Sequence, residues 1–102
     1  MLLEIAEIEV REGSEDAFAR AMREVGIPQL AACEGVVSVR FGRGVENPSK
    51  FTFNVVWTSM DAHMKARDLG SFGKFRAAFG DLTAGGAMNH YVMDELIPGA
   101  SA

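Results

Sequence analysis

The chain has 102 residues, 48% of them hydrophobic and 24% charged. That is the length and balance of one soluble domain, so neither a second catalytic module nor a disordered tail is expected. Fourteen acidic residues against ten basic ones give a net charge of -4, the wrong sign for gripping phosphate backbones, so nucleic acid is not an expected partner.

The whole chain, 1–102, reads as a single domain with an ordered core over about 2–97. A domain of this size buries only about 65% of the surface its unfolded form exposes, so a partner subunit would add stability. The one cysteine, Cys33, has no internal partner for a disulfide, and it reads as a small buried hydrophobe. Apolar runs fall far short of the roughly 20 residues that span a bilayer, so no membrane segment is expected. With no basic segment leading into an apolar stretch at its start, the chain is expected in the cytoplasm.

Leu2 to Val10 (LLEIAEIEV) is β-branched and apolar with Glu interspersed, and reads as the first strand. Ser14, Glu15 and Asp16 suit a helix start, because a hydroxyl can accept an orphan N–H and carboxylates meet the positive end of the dipole. The expected buried stripe is Ala17, Phe18, Ala21, Met22 and Val25. Gly26 and Pro28 interrupt it and predict a kink, with Leu30 and Ala31 still on the core side. Glu34-Gly35 closes the element.

Val36 to Gly42 is the second strand. Gly44 to Ser49, with its Asn-Pro step, turns the chain into a third strand from Phe51 to Thr58, making an antiparallel hairpin. Ser59 and Asp61 start a short helix through Leu69. Ser71 is the expected cap of another, which carries Phe72, Phe75 and Phe79 and ends at Gly80. After Gly85-Gly86, the run from Ala87 to Ile97 is the expected fourth strand, stopped by Pro98. The order β-α-β-β-α-β is the ferredoxin-like arrangement, an α+β fold with a four-stranded antiparallel sheet.

The strands carry apolar side chains on both faces. Phe51, Phe53, Val55 and Trp57 alternate with Thr52, Asn54, Val56 and Thr58. Val37, Val39 and Phe41 alternate with Val36, Ser38 and Arg40, and Met88, His90 and Val92 with Asn89, Tyr91 and Met93. Two helical layers can cover one face only, and a bare second face would exceed the apolar patch that soluble monomers tolerate. A second copy of the same sheet is the expected cover, which makes the chain a homodimer with sheets packed face to face and helices outside, a dimeric α+β barrel. Space between helices and sheet is then available for a pocket.

The run Trp57-Thr58-Ser59-Met60-Asp61-Ala62-His63, followed by Phe72, Phe75 and Phe79 after a strand of a βαββαβ chain, resembles the antibiotic biosynthesis monooxygenase family. The Glu34-Gly35-Val36 turn and the long last strand support the resemblance, which covers about Leu2 to Ile97. The resemblance implies a dimeric α+β barrel. For members that are enzymes it implies oxidation of phenol- or hydroquinone-type compounds by molecular oxygen with no cofactor, neither flavin nor metal, since a deprotonated electron-rich ring reacts with oxygen once it is held dry. It also implies a pocket wall at Trp57. Many members place a His about nine residues after that Trp. Here Ala66 stands near that position, and His63 lies one helical turn earlier on the same face. A haem-degrading branch that uses a strand-one Asn and a helix Trp is disfavoured, because this chain has neither.

His63 and His90 are the candidate catalytic bases, since imidazole titrates near neutrality. An exposed helix histidine is the plain alternative for His63. His90 and Tyr91 are strand neighbours and point to opposite faces, so only one of them reaches the pocket; Asn54 and Trp57 are separated by the same parity. The candidate substrate-binding residues are Trp57, Tyr91, Asn54, Arg76, Phe72 and Met64, with a small aromatic molecule as ligand. Arg40 and Arg76 could anchor a phenolate, although surface ion pairing is the plainer role. Asp94 and Glu95 diverge along a strand. Two separated histidines without a carboxylate at ligand spacing make a weak metal case, so no metal is expected. The reading is therefore a monooxygenase. The rivals are a dimeric small-ligand-binding or stress-associated barrel without catalysis, and a subunit that pairs with a partner enzyme.

Overall fold

The computed structural model describes residues 1–101. Strands β1 (Leu2–Val10), β2 (Val36–Arg43), β3 (Lys50–Trp57) and β4 (Thr83–Val92) form one antiparallel sheet in the order β2-β3-β1-β4. Helices α1 (Glu15–Ala21) and α2 (Ile27–Ala31), joined by a wide π-helical turn over Met22–Gly26, lie between β1 and β2. Helices α3 (Met60–Ala66) and α4 (Gly70–Ala77) lie between β3 and β4. This is the expected α+β, ferredoxin-like fold. Among the described residues no helix is long and apolar enough to cross a membrane.

The period of two in β3 sets the layers. Phe51, Phe53, Val55 and Trp57 are buried beneath the helices, while Thr52, Asn54 and Val56 lie half-buried on the other face. Pairing of Glu4 with Val55 and His90, and of Ala6 with Phe53 and Met88, carries that parity across to β1 and β4. Six phenylalanines fill one end of the layer. Phe18 of α1 packs on Phe51 with ring centroids 5.1 Å apart and edge-on against Phe79 at 5.5 Å; Phe53 meets Phe75 edge-on at 5.5 Å. Phe41 stacks on Phe51. The edge-on and tilted pairs among these are arrangements that the ring quadrupoles favour.

The inward stripe of the first helical layer differs from the expected one. Phe18, Met22, Gly26 and Leu30 are buried at steps of four together with Ala19, whereas Ala17, Val25 and Ala31 are exposed. Steps of four drift by about 40° each around a straight α-helix, and the wide turn takes up the drift. Its position has a local cause: Pro28 lacks the N–H that would bond to Glu24 in a continuous helix.

Three strand and helix limits also shift. Val36 pairs with Trp57 but Ser38 with Val56, so Val37 is a bulge, half exposed, and Val36 joins Val39 and Phe41 on the helix side. β4 begins at Thr83, before Gly85-Gly86, and ends at Val92 rather than Ile97, because Val92 already pairs with Leu2 at the start of β1. Gly86 sits inside the strand, where a Cβ would come 3.0 Å from the Glu7 carbonyl oxygen. Ser71 does not cap α4, whose N-cap is Leu69; its Oγ lies 3.3 Å from the buried Cys33 Sγ instead.

Ser59 does cap α3, its hydroxyl accepting from the Ala62 N–H at 3.1 Å. Gly35 supplies the seat for that helix. It has φ +93°, and a Cβ there would lie 2.6 Å from the Ala62 Cβ, so a larger residue would both strain the turn and push α3 off the sheet. Phe18→Ala is expected to cost about 3–5 kcal/mol of stability, since it removes a fully buried ring that links both helical layers to the sheet; urea denaturation with an unchanged slope is the check.

Candidate functional site

The chemistry collects where α3 crosses β1 and β4. Glu4 occupies an inward position of β1 directly opposite His90 on β4, and His63 descends on them from α3. The Trp57 indole N–H donates to Glu4 Oε1 at 2.9 Å, and His63 Nδ1 lies 3.4 Å from the same oxygen. The His63 ring is edge-on to Trp57 with centroids 4.8 Å apart, and tilted against His90 at the same separation. Glu4 is 8% exposed and His63 2%.

Such burial demands partners for polar atoms. Among the described residues Nδ1 and Nε2 of His63 and Nε2 of His90 are buried and have none. Burial pushes the His63 imidazole below its ordinary value of 6.5; the Glu4 charge opposes this, and His90 and Arg67 add to it. The neutral ring, with a free lone pair, is therefore the form present at pH 7.

Glu4 and His63 form the polar end of a cleft of about 520 Å³ between sheet and helices. Its apolar walls are Phe53 and Val55 on the sheet side and Leu30, Phe72, Phe75 and Phe79 on the helix side. Arg67 and Arg76 also line it. Both are exposed, and neither is in an ion pair among the described residues. The arrangement suits a flat, partly anionic molecule: aromatic walls, two guanidinium groups for negative charge, and a neutral imidazole as proton acceptor. A second depression, of about 360 Å³ beside Gly35, Thr58 and Asp61, holds none of the buried titratable groups.

Several expected site residues fall here and several do not. His63 is buried in the cluster, not an exposed helix residue, and His90 stands beside it. Phe72 and Arg76 line the cleft. Trp57 is fully buried behind it and acts on Glu4, without forming the cleft surface. Asn54 and Tyr91 pair with Ile5 and Leu3 on the opposite face of the sheet, so neither can line this cleft. Met64 is exposed on the outer side of α3, one residue past the inward His63. The reading of two histidines without a carboxylate is corrected as well, because Glu4 joins them from a strand distant in sequence. Its signal was present in β1, where Leu2, Glu4, Ala6 and Ile8 alternate and put one carboxylate on an otherwise apolar inward row.

The family model for antibiotic biosynthesis monooxygenases matches residues 1–78. Among solved structures, a protein from Bordetella bronchiseptica described as a candidate antibiotic biosynthesis monooxygenase is 27% identical with a TM-score of 0.83, and the match covers 92% of this chain and 97% of that one. Candidates of the same description from Deinococcus radiodurans (12% identity, TM-score 0.78, 99% and 100% covered) and Caulobacter crescentus (18%, 0.77, 92% and 90%) share the fold. No curated protein matches the sequence significantly.

Because His63 binds its proton less readily folded than unfolded, protonation favours the unfolded chain. Its contribution is constant above pH 6.5 and is lost as the pH falls below that value toward the folded one. Thermal unfolding of the wild type is therefore expected to drop between pH 7 and 5 more steeply than that of His63→Leu, and an NMR titration should find the His63 imidazole neutral to below pH 6.5.

Proposed function

The chain belongs to the antibiotic biosynthesis monooxygenase family, and from that premise we propose that it oxidises a small phenol- or hydroquinone-type aromatic with molecular oxygen inside the cleft. The observation that carries this reading is the buried Glu4–His63 pair at the polar end of a phenylalanine-walled space, with the half-buried His90 beside it. The ring itself is the reductant and no redox cofactor takes part. For a phenol with a free para position, a ring C–H and the O–H are replaced by two carbonyls, and one oxygen atom leaves as water.

The protein's task is to hold the ring, take its proton and stabilise the anion. His63 is the proton acceptor, and Glu4, held by Trp57, stabilises the imidazolium that forms. Arg67 and Arg76 neutralise the phenolate, and Phe72, Phe75 and Phe79 keep water away from it. Oxygen consumption with a panel of hydroquinones and polyphenols is the test, with His63→Ala expected to lower the rate by about 10²-fold or more. Saturable binding of those compounds without turnover would favour the non-catalytic barrel instead.

We propose further that a second copy of the chain covers the open sheet face. Leu3, Ile5, Val56 and Tyr91 form its apolar centre, ringed by Asn54, Thr52 and Arg40. Tyr91 is about half exposed in the single chain, and ring burial is the usual reward of such an interface. Sedimentation at micromolar concentration is expected to give twice the chain mass, and Ile5→Glu to give the single chain; a soluble, folded wild-type monomer would remove this arrangement while leaving the cleft chemistry intact.

A further inference from the structure

We propose that Glu4, His63 and His90 form a binding site for a divalent first-row transition ion, held by one carboxylate oxygen and two imidazole nitrogens. The three side chains come from three different elements, β1, α3 and β4, and each brings a ligand atom within 4.8 Å of the other two. Donors about 2.1 Å from a shared ion lie roughly 3.4 Å apart. Glu4 Oε1 and His63 Nδ1 already have that separation, and side-chain rotation supplies the remaining contraction.

The unpaired nitrogens are the independent observation. His63 is almost wholly buried, yet neither of its ring nitrogens has a partner among the described residues, and Nε2 of His90 is in the same state. Lone pairs converging on a carboxylate without protein donors to meet them are what a cation requires. Trp57 adds the outer support usual for metal ligands: its indole N–H fixes Oε1 of Glu4, while Oε2 accepts no hydrogen bond among the described residues.

Donor chemistry selects the class of ion. Two imidazoles and one carboxylate suit zinc, iron(II), cobalt(II) or nickel, whereas calcium and magnesium take oxygen ligands. Three protein ligands leave coordination positions open toward the cleft that Glu4 and His63 line. Arg67 and Arg76, on the same cleft, both oppose a cation there, and the Glu4 carboxylate is the charge among its ligands that offsets them. An ion on His63 occupies the lone pair that accepts the proton in the proposed oxidation, so the two uses of this group exclude one another, and ion binding is measured without substrate or turnover.

The experiment uses the full untagged chain, stripped with a chelator and titrated with cobalt(II) and, separately, zinc. The chain has two histidines and one cysteine, the latter buried, so an imidazole signature can come only from His63 and His90. One ion per chain with micromolar or tighter affinity is expected, weakened at least tenfold in Glu4→Gln and in His90→Ala. In the wild type, cobalt should shift or broaden both imidazole NMR signals together, a readout that does not depend on the variants folding. No binding by the folded chain, a change at one histidine only, or equal affinity in a folded Glu4→Gln would overturn the site and leave a water-filled polar cluster.

Discussion

A carboxylate buried under a helix is the constraint around which the rest of this molecule is arranged. Taking Glu4 out of water is costly unless its oxygens find donors or positive charge; the Trp57 indole on the neighbouring strand donates to one oxygen, and the His63 ring closes over it from above, with Nδ1 3.4 Å from that oxygen. Each of those depends on something further. Trp57 faces inward because β3 holds its parity to its last residue, and it stays in register with Val36 because the bulge at Val37 comes after that pair. His63 reaches the sheet because Ser59 sets where α3 starts and Gly35 lets the helix settle against the turn below.

What could be read from the chain divides along the range of the interactions involved. The first three strands, the hairpin, the Ser59 cap and the inward row of β3 follow from neighbours a few residues apart, and these agree with the structure to within a residue at their ends. The wide turn is different. A stripe of Phe18, Met22, Gly26 and Leu30 becomes visible only when the helix is allowed to unwind ahead of Pro28, so helical periodicity alone selected Ala17 and Val25. The end of β4 was beyond local reasoning too: residues 93–97 are as apolar as a strand, but β1 offers nothing opposite them once Leu2 has met Val92.

The candidate site shows the same division. His63 and His90 carry chemistry by residue type and stand out in any reading, whereas Glu4 gains meaning only through strand pairing that joins it to residues far along the chain. Asn54 and Tyr91 are one residue away from the inward Val55 and His90, and that single step places them on the other side of the sheet. Parity thus separates two surfaces with different demands: an inward one that concentrates unpaired polar atoms beneath the helices, and an outward one whose Leu3, Ile5 and Val56 are left half-buried without helices to cover them.

That separation bears on how far structural likeness carries function. Proteins as little as 12% identical share this fold, because packed aromatic side chains and an alternating sheet tolerate wide substitution so long as volume and parity are kept. The chemistry has no such latitude. As proposed, it rests on a carboxylate, two imidazoles and an indole whose useful property is their mutual distance, which side-chain volume and strand parity alone do not specify. The chemistry proposed for this chain is therefore a property of four side chains that the fold brings together, and of the lone pairs they leave free.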